Sequence, residues 1–238
     1  MAQAVALAAA LLPGLAPAAG AMPLRMILVG DSTMAARTGY GDALCRRLPP
    51  PAICLNLARG GRSSASYRAE GLWDDVQQRL HDGVPSVVLI QFGHNDQPGK
   101  PGRSTDLATE FPANLARYVV EAKALGATPV LLTPLTRRSF RDKVLNNDLR
   151  PWAEAARQVA AAQQVPLLDL NALSGAAVQA MGEAEADTLA EAPPGQPRFD
   201  HTHLGTKGAC LFAQMVAQEL ARIVPALATA LAGDSACS

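Results

Sequence analysis

The chain has few aromatic residues and no net charge. Phe, Trp and Tyr make up 4% of its 238 residues, and 21 basic side chains balance 21 acidic ones. A neutral protein produces no long-range field toward nucleic acid or an anionic membrane. No apolar run after roughly the first two dozen residues is long enough to span a bilayer. We therefore expect neither nucleic acid nor a membrane as a partner, and we also expect a monomer.

Cysteine is scarce, and no two cysteines form a C-x-x-C pair, which argues against a zinc ribbon or a thioredoxin-type site. The chain has four: Cys45, Cys54, Cys210 and Cys237. We favour the pairs Cys45–Cys54 and Cys210–Cys237, because each closes a local loop. The alternative is four free thiols, with Cys210 as a small core residue of a helix.

The first residues differ from all that follow. Ala4–Leu12 is a short apolar run, and Ala19-Gly20-Ala21 offers a small-x-small cleavage site. This pattern predicts a secretory signal peptide over residues 1–21, although no Lys or Arg precedes the apolar run. The protein would then be secreted or periplasmic. If residues 1–21 are instead an uncleaved extension, it would be cytoplasmic. Residues 22–238 are expected to form a single domain.

Apolar runs alternate with helical patterns five times along the chain. The runs are continuous rather than alternating, which is typical of parallel strands covered on both faces. The sequence therefore predicts one doubly wound α/β domain. The predicted strands are Arg25–Val29, Ala52–Leu57, Ser86–Phe92, Pro129–Thr133 and Val165–Leu170. The predicted helices are Tyr40–Leu48, Leu72–Leu80, Leu107–Leu125, Leu149–Gln164, a shorter one after the fifth strand, and Leu204–Val224, with an irregular segment over Glu183–Phe199.

Polar or glycine-rich segments follow the first three strands, and a fourth precedes the last helix. They are Gly30–Met34, Asn56–Ser64, Gly93–Asp96 and Asp200–His203. In open α/β sheets, ligands bind outside the carboxyl ends of the strands. We therefore expect all four segments to meet at one edge of the sheet.

These segments contain the groups needed for hydrolysis by a serine nucleophile. Ser32, expected at a helix N-terminus, needs a base to accept its proton. Histidine is a suitable base, and His203 follows Asp200 by three residues, so the carboxylate can orient the imidazole. The backbone N–H groups of Ser32 and Gly61 and the side-chain amide of Asn95 are the expected oxyanion donors.

In this order, the four segments resemble the SGNH (GDSL-type) hydrolase superfamily, and in finer detail its rhamnogalacturonan acetylesterase family. The resemblance runs from about Leu24 to Val224. The shared features are GDSTM, the N-x-A-x-G-G-R-S-S run followed by Tyr67 and Glu70-Gly71, FGHND, and DHTHL followed by Gly208-Ala209.

That resemblance implies a three-layer α/β/α sandwich with a flavodoxin-like five-stranded parallel sheet. It implies Ser32 as the nucleophile, Asp200 and His203 as the rest of the triad, and Gly61 and Asn95 as oxyanion donors. The implied activity is removal of acetyl groups from pectic polysaccharide, without a cofactor. The segment after Asn95 is shorter and more basic than in some fungal relatives, which leaves the substrate open.

Three further residues are interpreted as substrate contacts, each with an alternative. Arg62 can bind a substrate carboxylate, or it can pair with Asp31 or Asp96 across the loops. His94 can touch the substrate or brace the loop that carries Asn95. His201 can lie behind the site or be an exposed loop histidine. Asp31 itself is expected either to cap the following helix or to bind neighbouring loops.

The segment Arg137–Lys143 is strongly basic and follows the fourth strand. Together with Lys100 and Arg103 it can attract a polyanionic substrate. The alternative is a solvated basic loop, which is the more common fate of such runs.

The sequence argues against metal and nucleotide sites. His94, Asp96, Asp200, His201 and His203 show no H-E-x-x-H spacing, and an activated serine makes a metal unnecessary. The glycine-rich stretch from position 93 to 101 lacks the spacing and the Ser or Thr of a phosphate-binding loop. We therefore expect neither a metal nor another cofactor.

The leading hypothesis is a serine esterase that acts on an acetylated polysaccharide or a small ester. Lipid, aryl or thioester hydrolysis, or acetylxylan hydrolysis, are alternatives with the same chemistry. A carbohydrate-binding protein without catalysis is the non-enzymatic alternative. It is disfavoured because the sequence contains Ser32, Asp200 and His203 and has few aromatic side chains for sugar stacking.

Overall fold

The computed structural model describes residues 23–191 and 200–231. Five parallel strands form the main sheet, in the order β2-β1-β3-β4-β7, and a separate antiparallel hairpin joins β5 to β6. The predicted doubly wound parallel sheet is thereby confirmed. The strands are β1 Arg25–Gly30, β2 Ile53–Asn56, β3 Ser86–Gln91, β4 Thr128–Leu132, β5 Phe140–Arg141, β6 Val144–Leu145 and β7 Leu167–Leu168.

The sheet lies between two layers of helices. The helices are α1 Gly41–Cys45, α2 Ser66–Ala69, α3 Leu72–Leu80, α4 Glu110–Ala124, α5 Arg150–Gln163, α6 Leu170–Met181, α7 Glu183–Asp187, α8 Thr206–Ile223 and α9 Pro225–Leu231. The side chains of α1, α6, α8 and α9 pack on one face of the sheet, and those of α3, α4 and α5 pack on the other.

Strand β1 shows why the sequence forms a central strand. Met26 and Leu28 enter one core, whereas Ile27 and Val29 enter the other. Every residue of β1 and of β3 is buried. Because successive side chains point to opposite faces, a strand covered on both sides is apolar along its middle, and the polar residues of these two strands, Arg25, Ser86 and Gln91, lie at the strand ends. Burial on both faces accounts for the continuous apolar runs in the sequence.

Two regions differ from the sequence prediction. The segment expected to be irregular from Glu183 begins with α7, and residues 192–199 of it lie outside the described residues. The basic loop after β4 contains the β5–β6 hairpin, whose turn places Asp142 and Lys143 at positive φ. Glycine and asparagine are the usual residues in such turns, so this pair gave no hairpin signal.

A disulfide joins Cys45, the last residue of α1, to Cys54 in β2. This confirms the first predicted pair. Cys237 lies outside the described residues, so the pair Cys210–Cys237 stays a prediction. The predicted signal peptide, residues 1–21, also lies outside them. Within the part of the chain that the structure describes, no helix combines the length and apolar character needed to cross a bilayer.

Candidate active site

Ser32 lies in a tight turn directly after β1. The carboxylate of Asp31 accepts hydrogen bonds from the backbone N–H of Thr33 at 2.9 Å and from its hydroxyl at 2.8 Å. The Asp31 carbonyl accepts from the N–H of Ala35 at 3.0 Å. Asp31 therefore fixes the 31–35 turn from both sides of Ser32. The expectation that Ser32 lies at a helix N-terminus is wrong, because α1 starts well beyond this turn. Of the two roles considered for Asp31, a helix cap is thereby excluded, and its contact with His94 agrees with the alternative, binding to a neighbouring loop.

Buried side chains tie the 31–35 turn to the end of β3. Gln91 donates its amide to the Thr33 hydroxyl at 2.8 Å and accepts from the Tyr40 hydroxyl at 2.6 Å. Burial raises the pKa of Tyr40, so its phenol remains a hydrogen-bond donor. The backbone under Ser32 is thus fixed, while the Ser32 residue keeps 8% of its surface exposed.

His203 connects Asp200 to Ser32. Its Nδ1 lies 2.5 Å from Oδ2 of Asp200, and its Nε2 lies 2.8 Å from Oγ of Ser32. A carboxylate only accepts, so Nδ1 carries the proton and Nε2 is free to accept from the serine hydroxyl. The structure therefore brings together the three side chains that the sequence suggested for a triad.

Hydrogen bonds keep Asp200 ionised. Burial raises the pKa of its carboxyl, but donation from the backbone N–H of Thr202, from the His203 ring and from the His203 N–H outweighs burial and lowers the pKa. The two backbone contacts to Oδ1 measure 2.7 and 3.1 Å. A carboxylate in this position stabilises an imidazolium at His203.

The loop of residues 200–205 reaches the Ser32 backbone through Thr38. The N–H of Leu204 donates to the Thr38 carbonyl at 2.9 Å, and the Thr38 hydroxyl donates to the Ser32 carbonyl at 2.8 Å. The carboxylate and imidazole side chains of this loop are 40% and 41% exposed. Hydrogen bonds, more than packing, therefore fix their positions.

Three N–H donors are available near Ser32 for an oxyanion. Within the described residues, no hydrogen bond uses the backbone N–H of Ser32 or of Gly61. Gly61 has a φ of +79°, a conformation that favours glycine. Asn95 donates one amide hydrogen to the Arg62 carbonyl at 3.1 Å, which leaves its second hydrogen available. Nη1 of Arg103 lies 3.5 Å from both the Gly61 carbonyl and Oδ1 of Asn95.

A buried carboxylate, Asp96, joins the two loops that carry these donors. It accepts from the backbone N–H and hydroxyl of Ser64, at 3.0 and 2.6 Å, and from the Thr105 hydroxyl at 3.1 Å. Burial raises the pKa of Asp96 to about 6, although these hydrogen bonds oppose the shift. Asp96 thus positions the segments of Gly61 and Asn95 relative to each other.

His94 is a support of the site rather than part of its surface. Its residue surface is 2% exposed, and Nδ1 lies 3.3 Å from Oδ2 of Asp31. A ring this buried offers little surface to a substrate, and the interpretation of His94 as a substrate contact stays a prediction. Its carbonyl accepts from Nζ of Lys100 at 2.6 Å, and its position agrees with the alternative, a brace for the loop before Asn95.

Arg62 pairs with an acidic residue that the sequence interpretation did not consider. Its guanidinium lies 2.7 Å from Glu70, and it also donates to the Gly60 carbonyl at 2.7 Å. The alternative pairing with Asp31 or Asp96 is wrong, because both carboxylates are fully buried and the guanidinium of Arg62 lies on Glu70 instead. The exposed Arg62–Glu70 pair lies beside the candidate oxyanion donors, so its role as a substrate contact stays a prediction.

His201 is half exposed, and its Nδ1 lies 3.5 Å from the Asp187 carboxylate. This placement fits the expected loop histidine. Contact with a substrate stays a prediction for this residue too.

The basic segment divides into residues with different surroundings. Arg138 is fully buried, whereas Arg141 and Lys143 belong to the exposed hairpin. Arg137 donates to the hydroxyl of Thr202 and to Gln97 and Asp148. The expected solvated or substrate-attracting loop is therefore wrong for Arg138, because burial removes it from both roles.

Several supporting residues escaped the sequence analysis. Gln91 and Tyr40 belong to no recognisable motif, and only the parallel pairing of β1 with β3 brings Gln91 beside the turn. Arg138 looked like any member of a charge run. A polar residue at the end of an otherwise apolar strand, as Gln91 is, was the one available signal. Within residues 23–191 and 200–231, no group of three His, Cys, Asp or Glu is placed to bind a metal ion.

Comparison with known families agrees with this arrangement. The model of the GDSL-like lipase/acylhydrolase family matches residues 28–211. A probable rhamnogalacturonan acetylesterase of Bacillus subtilis, YesY, is 32% identical over 204 residues, which cover 83% of this chain and 92% of that protein. The rhamnogalacturonan acetylesterase RhgT of the same organism is 31% identical over 211 residues, which cover 82% and 89% of the two chains.

Solved structures share the fold. The crystal structure of protein YXIM of Bacillus subtilis superposes with a TM-score of 0.70 at 24% sequence identity. The match covers 84% of this chain but 57% of that one. At this identity the similarity concerns the α/β architecture, which is the sandwich expected from the sequence.

Proposed function

The chain belongs to the GDSL-like lipase/acylhydrolase family and is a carboxylic ester hydrolase, and we propose that it is a serine esterase that removes acetyl groups from an acidic polysaccharide, with acetylated rhamnogalacturonan as the preferred substrate. The observation that carries the proposal is the 2.8 Å contact between Oγ of Ser32 and Nε2 of His203. This contact gives the hydroxyl a base at hydrogen-bond distance.

The reaction has two steps. In the first, Oγ of Ser32 attacks the ester carbonyl while Nε2 of His203 takes the hydroxyl proton. The imidazolium, stabilised by Asp200, then protonates the departing sugar oxygen, and an acetyl-serine remains. In the second step, His203 takes a proton from water, whose oxygen attacks the acetyl carbonyl. Acetate leaves as Oγ regains its proton.

The tetrahedral intermediates of both steps carry a negative oxygen. The N–H groups of Ser32 and Gly61 and the free amide hydrogen of Asn95 can donate to it. Preorganised donors of this kind act without reorganising during the reaction, so their fixed attachment matters. Asp96 and the contact of Asn95 with the Arg62 carbonyl provide that attachment.

Cations next to these donors favour an acidic substrate. Nζ of Lys100 donates to the carbonyl of His94, the residue before Asn95, and Nη1 of Arg103 lies 3.5 Å from Oδ1 of Asn95. Burial lowers the pKa of Lys100, and the positive charges of Arg137 and Arg103 lower it further. Asp148 neutralises Arg137 in part, at 3.2 Å. A uronate-containing chain would supply the remaining negative charge. The acetyl-removing relatives named above support the same substrate class.

A substrate panel tests the proposal. We expect acetyl esters to be hydrolysed faster than butanoyl or octanoyl esters, and acetylated rhamnogalacturonan to release acetate faster than acetylated xylan. Faster turnover of octanoyl esters would instead indicate a lipase-like or thioesterase-like enzyme. Equal release from both polymers would remove the preference for acidic chains and favour a general acetylesterase, acetylxylan included.

We also propose that the protein is exported after cleavage of residues 1–21. The Cys45–Cys54 disulfide supports an oxidising compartment. Amino-terminal sequencing of the protein recovered from the medium or periplasm is the test. Recovery of the uncleaved chain from the cytoplasm would contradict export.

A further inference from the structure

We propose that Arg138 is a positioning residue that sets the geometry of Asp200 and His203 from beneath their loop. Its Nη2 donates to the carbonyl of Asp200 at 2.5 Å and to the carbonyl of His203 at 2.6 Å. Its backbone N–H donates to the carbonyl of His201 at 2.8 Å. Arg138 thus contacts three of the four residues from Asp200 to His203.

The two contacts of Nη2 determine the distance between the backbones of Asp200 and His203, and the reaction depends on this distance. The carbonyls of Asp200 and His203 meet at a single nitrogen, which fixes the separation of their backbones. The side chains of the same two residues meet at 2.5 Å above the turn. A shift of the His203 backbone would therefore move Nδ1 away from the carboxylate and Nε2 away from Ser32.

Stability alone does not explain this arginine. Arg138 is 0% exposed, and its Nε and Nη1 have no hydrogen-bond partner within the described residues. The charges of Asp200 and Asp187 oppose the effect of burial on the pKa of Arg138, while their carboxylates pair with His203 and His201. Burial lowers the pKa of Arg138 to about 10, so it is still charged at neutral pH. Burying such a cation costs folding free energy, which favours a role in placing the two carbonyls.

The 200–205 loop needs such a support. It follows residues 192–199, which lie outside the described part, and precedes α8, which begins at Thr206. It contains no helix or strand, and its aspartate and histidine side chains are about two-fifths exposed. Arg137 adds a contact at 2.5 Å to the hydroxyl of Thr202. Two consecutive arginines therefore bind the loop from the side of β4.

The test compares two buried arginines. Arg138→Met removes the contacts to the loop. Arg25→Met is the matched control, because Arg25 is also buried and donates to the Arg79 carbonyl and to Asp82 at the opposite, amino-terminal edge of the sheet. We expect Arg138→Met to lower kcat for a small acetyl ester by about 100-fold with KM changed less than about twofold, since small misplacements of reacting groups have costs of this size. We expect Arg25→Met to lower Tm and to leave kcat unchanged.

Two further readouts distinguish positioning from loss of fold. Arg138→Ala leaves a space with the shape of ethylguanidinium, so added ethylguanidinium should restore part of the kcat of Arg138→Ala and should not affect Arg25→Met. If Arg138→Met does not fold, Arg138→Lys decides, because a lysine ammonium can contact only part of the loop. We expect its kcat to fall severalfold, and unchanged kcat in a folded variant of either kind overturns the proposal.

A spectroscopic measurement separates this inference from the proposed function on which it rests. The Nδ1 proton shared by His203 and Asp200 should give a far-downfield proton NMR signal in the wild type. The signal should disappear in Arg138→Met or Arg138→Lys and persist in Arg25→Met. An inactive wild type that shows this pattern would contradict the esterase proposal and support the positioning role. A signal that survives the Arg138 substitutions would contradict the positioning role.

Discussion

The two halves of the site are built differently. The half that carries Ser32 is a turn fused to the end of a central strand and fixed by buried side chains of Asp31, Thr33, Gln91 and Tyr40. The half that carries the aspartate and the histidine is a partly exposed loop that arginines contact from beneath. The first half shares its hydrogen bonds with the core, so changes there should reduce stability. The second half has its own attachments, so changes there should reduce activity with little effect on stability.

The largest effect should come from the atom at which the halves meet. Ser32→Ala removes the nucleophile, so kcat for acetyl esters should fall by at least about 10⁴-fold. The only side-chain hydrogen bond of Ser32 in the described structure is the one to His203, so Tm should change by less than about 2 °C. Steady-state kinetics and thermal melting measure both quantities. Labelling of the wild type by an organophosphate, once and at Ser32, is the control. Substantial turnover by folded Ser32→Ala would contradict the serine mechanism.

The next pair of substitutions tests the contrast directly. Asp200→Asn can keep the two backbone contacts to Oδ1 but loses the ionic acceptor of His203, so kcat should fall by about 10³- to 10⁴-fold with Tm nearly unchanged. Thr33→Val removes the hydroxyl that donates to the Asp31 carboxylate and accepts from the Gln91 amide, so both buried groups lose one hydrogen bond and the free energy of unfolding should fall by about 1–3 kcal/mol.

Urea unfolding and kinetics on both variants decide the point. If Asp200→Asn lowers stability as much as Thr33→Val does, the two halves are not energetically distinct. If Thr33→Val lowers kcat as much as Asp200→Asn does, the 31–35 turn participates in the reaction more directly than its hydrogen bonds indicate.

Asn95 lies between the halves, and its change should have an intermediate effect. Asn95→Ala removes a donor that strengthens only as the oxyanion forms, so kcat should fall by about 10²-fold or more with little change in KM. Asn95→Asp, which keeps the shape but repels an oxyanion, should be at least as damaging. An effect on KM alone would make Asn95 a substrate-binding residue.

Asp96 predicts a pH dependence of stability. The pKa of this carboxyl is about 6 in the folded protein and 3.8 as its ordinary value. The folded state therefore binds a proton at a pH where the unfolded state does not, and the destabilisation present above pH 6 is relieved as the pH falls from about 6 toward 4. Asp96→Asn should remove this pH dependence. Relative to the wild type, its free energy of unfolding should be more favourable at pH 8 than at pH 5, by up to a few kcal/mol. Urea unfolding at pH 5 and pH 8 measures it, and an identical pH trend in both proteins would contradict the shift.

The smallest effect should come from the positive charge of Lys100, near the candidate oxyanion donors. Lys100 and Lys123 each donate to a backbone carbonyl at 2.6 Å, but Lys123 lies at the end of α4, on the other edge of the sheet. Lys100→Gln should raise KM for acetylated rhamnogalacturonan a few-fold and weaken its rise with added salt, whereas Lys123→Gln should not. KM for a small neutral ester should not change in either variant. Equal behaviour of the two variants would contradict a cationic subsite near Lys100.

Strand positions could be predicted from the sequence because burial on both faces selects continuous apolar runs, as the middle residues of β1 and β3 show. The segments around Ser32 and His203 could be placed together because parallel strands end at one edge. Burial of individual polar residues could not be predicted. Arg138 and Arg141 are three residues apart in one basic run, yet one is fully buried and the other exposed. The difference depends on whether the 200–205 loop covers the residue, which no local pattern encodes.

The surroundings of His94 could not be predicted for the same reason. A histidine beside Asn95 in a motif invites a functional role, but the 3.3 Å approach to Asp31 exists only once β1 and β3 are paired. Helix ends were less predictable than helix existence. The expected helix Tyr40–Leu48 is shorter in the structure, where α1 ends at Cys45, the residue bridged to β2.

The contact between Ser32 and His203 joins positions separated by 171 residues. During synthesis the serine emerges long before the histidine, so a growing chain contains an ordinary, unreactive hydroxyl. Contacts between such distant positions form late, because a long loop must close first. If Ser32 and His203 react as proposed, the reactive pair therefore forms only when the 200–205 loop lies against the 31–35 turn. Ester turnover by this mechanism therefore requires the folded chain, and no fragment that ends before His203 can hydrolyse an ester with Ser32 and His203.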